Sequence, residues 1–185
     1  CAALIYQVVF AKKLALIFGS TSTATLTVLA TFLGGMAIGS LLGGKLADKS
    51  MPALKVYAII EALIGIYCAA TPLIYDLIQT IYISIAANQA PDSPELLGLR
   101  IILGAGALLV PTILMGASLP VLTKSLKREN HSIGQEVATL YFANTAGAAV
   151  GALMTSYFII PSFGILRTAL LAVFLNLLVA IAALQ

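Results

Sequence analysis

Between Ala24 and Leu42 the chain carries no charged residue, and a helix over that stretch is about as long as the roughly 30 Å of bilayer hydrocarbon requires. Every fourth residue on one side of it is glycine: Gly35, Gly39 and Gly43, with Gly34, Ser40 and Gly44 beside them. A face without side chains lets a second helix approach backbone to backbone, which is how helices associate where lipid removes the hydrophobic driving force. The stretch reads as a transmembrane helix with a packing face. Gly147 and Gly151 repeat the spacing later in the chain and are read the same way. Charge returns abruptly at Lys45, Asp48 and Lys49, where this helix is expected to leave the membrane.

Composition generalises the point. A chain of 185 residues that is 61% hydrophobic and 9% charged, with a mean hydropathy of +1.06, has too little polar surface for a soluble domain. It reads as an all-α polytopic membrane protein whose surroundings are membrane lipid. Ten basic against seven acidic residues speak about orientation in a membrane, and nucleic acid is not an expected partner. Cys1 and Cys68 are too few and too far apart for a disulfide framework or a metal knuckle. No metal and no cofactor is expected, and no Ser-His-Asp arrangement, carboxylate pair or phosphate loop argues for catalysis. Gly34-Gly35-Met36-Ala37-Ile38-Gly39 lies inside a span rather than between strand and helix, so it is not a dinucleotide fingerprint.

Polar punctuation divides the chain into a single transmembrane domain, 1–185, with spans at about 1–18, 22–46, 54–84, 97–122, 137–160 and 166–184 and no soluble domain. Lys12 and Lys13 place the hydrocarbon part of the first segment before about Ala11, with more chain expected ahead of Cys1. The third segment is long for one span, so Pro72 is expected to kink it, or its end beyond Asp76 to lie at the interface with Tyr75 and Tyr82 as anchors. Pro111 and Pro120 leave carbonyls in the fourth span that neighbours or water must satisfy. Lys45, Lys49, Lys55, Lys124, Lys127 and Arg128 fill the loops after spans two and four, whereas the other side has Asp92 and Glu95 in its loop and scattered cations at helix ends. The positive-inside rule then makes those two basic loops, and both termini, cytoplasmic.

Gly44-Lys45-Leu46-Ala47-Asp48-Lys49 resembles the first half of the signature loop between helices two and three of major facilitator transporters; Ser50-Met51-Pro52 stands where the second half would be. Across the whole chain, Leu4-Ile5-Tyr6-Gln7-Val8-Val9-Phe10, Pro111-Thr112-Ile113-Leu114-Met115-Gly116-Ala117-Ser118-Leu119-Pro120 and Leu140-Tyr141-Phe142-Ala143-Asn144-Thr145-Ala146-Gly147 resemble the six-helix membrane region of bacterial fused transporter and spermidine synthase-like proteins. The resemblance implies half of a major facilitator fold in a bacterial cytoplasmic (inner) membrane. It also implies a soluble aminopropyltransferase-like domain following the sixth helix, so any such activity would reside outside Cys1–Gln185. By the same resemblance, Gly44, Asp48 and Lys49 form the cytoplasmic signature loop, with Asp48 contacting a neighbouring helix.

Chemistry is sought in the polar groups inside spans. An ionisable residue such as Glu61 is costly there and points to function by default. Glu61, Thr112, Ser118, Tyr141 and Asn144 are the candidate substrate-binding residues; the alternative is that they form interhelical hydrogen bonds and nothing more. Two functions follow. The sparsity of such groups favours a structural anchor or accessory domain of the spermidine synthase-like membrane family, packed against a partner, a larger complex or a fused enzyme domain. The alternative is a half-transporter that works as a homodimer on a small cationic, polyamine-like solute.

Overall fold

The computed structural model describes residues 2–19, 22–47, 51–87, 89–90, 93–125 and 133–185. Asp48, Lys49 and the charged stretch from Lys127 to His131 lie outside the described residues. Among the described residues, regular structure is entirely helical: α1 (Ala2–Phe18), α2 (Ser22–Ala47), α3 (Ala53–Ala86), α4 (Pro94–Ser125), α5 (Ile133–Met154), a π-helical turn (Thr155–Ile159) and α6 (Ile160–Ala182).

Four of the described stretches are long and apolar enough to cross a membrane: Thr25–Ala47, Ala53–Ala86, Pro94–Ser125 and the 49-residue Gly134–Ala182, which carries α5 through the π turn into α6. Large apolar side chains such as Leu41, Leu73 and Phe142 stand exposed around the outside, the surface expected of a protein whose solvent is lipid. This is a membrane protein. Within the last stretch Gly164 takes φ 77° and ψ 169°, a conformation that glycine alone adopts at little cost. The chain turns there, so the fifth helix continues past the expected end at 160 and through Pro161. Helix α4 begins at Pro94 rather than near 97, because Ser93 caps it: the Leu96 N–H donates to Ser93 Oγ at 3.3 Å. Proline at the first helical position and Glu95 in the first turn both suit a helix start.

Prolines inside a membrane helix strip the carbonyl four residues earlier of its donor, and two of these gaps are closed by side chains. Pro72 leaves the Cys68 carbonyl, to which the Thr71 hydroxyl donates at 2.6 Å. Pro111 leaves the Ala107 carbonyl, to which the Tyr67 hydroxyl donates from α3 at 3.1 Å. The second bond joins two helices, so Tyr67→Phe should cost about 1 kcal/mol by stranding that carbonyl. Thermal unfolding in detergent checks this, and a midpoint equal to wild type would remove Tyr67 from the α3–α4 seam. Helix α3 runs through Pro72 as one helix to Ala86. Tyr75 and Tyr82 are buried against α1, with ring centroids 6.1 Å from Phe10 and 5.0 Å from Phe18 respectively. Arg100 of α4 closes that end, its Nε donating to the Tyr82 hydroxyl at 2.9 Å.

Helix α1 is the hub. It packs against every other helix, and Tyr6, Phe10 and Leu14 are at most 1% exposed. The tightest approach is α2 on α4. Gly35 faces the Thr112 side chain, Gly39 the Ile113 backbone and Gly43 the Ala117 backbone, while Gly116 of α4 faces the Met36 backbone in return. On α5, Gly151 is buried and Gly147 half-buried. Gly44 has open space around it among the described residues.

Candidate functional site

Helical spacing decides which polar groups share a face. On α3, Tyr57, Glu61 and Ile64 recur at i, i+4 and i+7; on α4, Met115, Ser118, Leu119 and Leu122 do so at i, i+3, i+4 and i+7, so each set forms one stripe. These stripes, with Asn144 of α5 and Asn176 of α6, enclose a cavity of about 300 Å³ capped by Ala2 and Ala3 of α1. Counted from the helix ends on that side, at 1.5 Å per residue, Asn176 and Ser118 lie about 9–10 Å deep, Glu61 about 12 Å and Asn144 about 16 Å. They converge on one layer of the bundle.

Among the described residues, Glu61 is the only acidic one lining this cavity, and no lysine or arginine lines it. Glu61 as a residue is nine-tenths buried, and Tyr57, one helical turn before it, lines the same cavity. One carboxylate and one phenol cannot balance a charge, so a cation or a proton must complete the site. Asn144 and Asn176 add amides that can both donate and accept, and Ser118 a hydroxyl whose proton is already committed to the Met115 carbonyl at 2.9 Å. Behind the cavity the Tyr6 hydroxyl, on a fully buried side chain, has no hydrogen-bond partner among the described residues.

Of the five residues singled out from the sequence, Glu61, Ser118 and Asn144 come together here. Thr112 does not. Its fully buried hydroxyl donates to the Leu108 carbonyl at 2.7 Å and its side chain fills the space opposite Gly35, which makes it part of the α2–α4 seam. Tyr141 does not either; it is 63% exposed and lines no wall of the cavity. Tyr57 and Asn176 complete the site without having been singled out as ligands. Tyr57 was legible as the residue one turn before Glu61. Asn176 was legible as the one amide in α6, in the apolar run that follows Arg167 and Thr168.

Fold and site together define an all-helical membrane protein with a mainly apolar cavity between its helices, into which Tyr57, Glu61, Ser118, Asn144 and Asn176 bring the polar groups. Among known proteins, a polyamine aminopropyltransferase of Oceanobacillus iheyensis is 26% identical over 179 residues, covering 96% of this chain and 32% of that protein. The chain thus spans about a third of the length of the curated relative it matches. No family model matches the chain, and no solved structure matches it.

Proposed function

We propose that this chain is the membrane domain of an aminopropyltransferase-like protein, crossing the bilayer six times, and that its cavity binds a small solute through an ammonium group held by Glu61. The observation that carries this is a largely buried glutamate on the wall of a mainly apolar cavity that holds two amides and, among the described residues, no basic side chain. Tyr57, Asn144 and Asn176 would orient the solute, and the chain itself would perform no covalent chemistry. The likeness to a polyamine aminopropyltransferase supports amines as the solute class. The anchor role draws on a different fact, that the match covers 32% of that relative, and the two roles are compatible in one domain. In keeping with the signature-loop and six-helix resemblance, the unit would act as half of a transporter-like assembly, pairing with a second copy.

The test is titration of the detergent-purified chain with primary amines, comparing wild type with Glu61→Gln, which keeps shape and removes charge. Loss of a charge-assisted bond of about 1.5–3 kcal/mol predicts at least tenfold weaker binding in the variant. Equal affinities, or no amine binding to wild type, would reduce Glu61 to a packing residue. The proposed orientation predicts that a cysteine at Ser125 is labelled only from the cytoplasmic side and one at Ser93 only from outside; reversed labelling would invert the topology.

A further inference from the structure

A second cavity adjoins the one at Glu61. This lobe of about 180 Å³ shares Ser118 and Asn144 with it and reaches Met36 and Ser40 of α2. Counted along α2 from its Ala47 end, Ser40 lies at about 10 Å and Met36 at about 16 Å, so this lobe spans the depth of Glu61, and Ser40 and Asn144 on its walls are exposed. Among the described residues, the second lobe has hydroxyl, amide and thioether groups on its walls and neither an acidic nor a basic side chain. The chamber as a whole therefore offers a single negative charge, at one end.

That asymmetry selects among amines. An ammonium group drawn into the membrane loses its hydration, which a carboxylate offsets and a hydroxyl or amide offsets only in part. A diamine that placed one end at Glu61 would have to leave its second charge in the neutral lobe. A ligand whose far end is an amide finds donors and acceptors in Asn144 and Ser40, and its methylenes lie against Met115 and Leu119. Resting on the ammonium site at Glu61, we infer that the chamber is specific for monocationic amines with a neutral polar tail, of which mono-N-acylated diamines are the chemical class, and that it discriminates against free diamines and polyamines.

Isothermal titration of the whole chain with N-acetylputrescine, n-butylamine and putrescine tests this. N-acetylputrescine should bind at least tenfold more tightly than putrescine, equivalent to about 1.4 kcal/mol, with n-butylamine between them. Ser40→Asp places a carboxylate in the neutral lobe and should reverse the order in favour of putrescine. Putrescine binding to wild type as tightly as N-acetylputrescine would overturn the inference while leaving the ammonium site in place. Failure of all three to bind, or equal binding of N-acetylputrescine to wild type and Glu61→Gln, would instead overturn the reading on which it rests. Should Ser40→Asp fail to fold, the wild-type series alone decides.

Discussion

Gly39→Leu should prevent α2 from seating on α4 and cost about 3 kcal/mol or more, the upper end of overpacking in a filled interior. A Cβ at this position would fall on the Ile113 carbonyl oxygen and stand 2.8 Å from its carbon and 2.9 Å from Cα. These are backbone atoms of a helix, so no rotamer change relieves the clash; the helices must separate. Separation is not confined to residue 39, because Gly35, Gly43 and Gly116 rely on the same close approach. In lipid, such packing is itself what drives association. At Gly34 and Gly44 a Cβ would meet no described atom within 4 Å, so Gly34→Leu and Gly44→Leu should stay within about 0.5 kcal/mol of wild type. Size-exclusion profiles after a heating series in detergent separate these outcomes. A Gly39→Leu midpoint matching that of Gly34→Leu would mean that the α2–α4 approach does not exist. Because Met115, Ser118 and Leu119 flank the seam on α4, Gly39→Leu should also weaken amine binding.

The glycine spacing and the hydropathy breaks were readable in the chain because each is a local property. Four residues per small step and about 20 per apolar run survive in any arrangement of helices. The facing of a helix is different. Helix α4 is apolar on all sides, and a helix of that kind carries no stripe to say which side meets which neighbour. Thr112 and Ser118 therefore looked equivalent, yet six residues apart they point respectively at Gly35 and at the cavity. Tyr141 and Asn144 are three residues apart on α5 and both exposed, and of the two only Asn144 borders the cavity. Partners of the proline-stripped carbonyls were likewise beyond a sequence reading. That Pro111 needed a donor was predictable, but Tyr67 supplies it from another helix 40 residues away.

Glu61→Gln should raise the thermal stability of the ligand-free protein while removing amine binding. Glu61 is nine-tenths buried as a residue, and its cavity walls hold no basic residue among those described. Holding a carboxylate there costs free energy that a neutral amide of the same shape does not, by about 1–3 kcal/mol. The amide keeps the shape of the side chain and can still accept a hydrogen bond. Stability gained as binding is lost is the pattern of a residue kept for its ligand at the expense of the fold. The opposite pattern, with Glu61→Gln less stable than wild type and no amine affinity to lose, would assign Glu61 to helix packing and leave this domain an anchor.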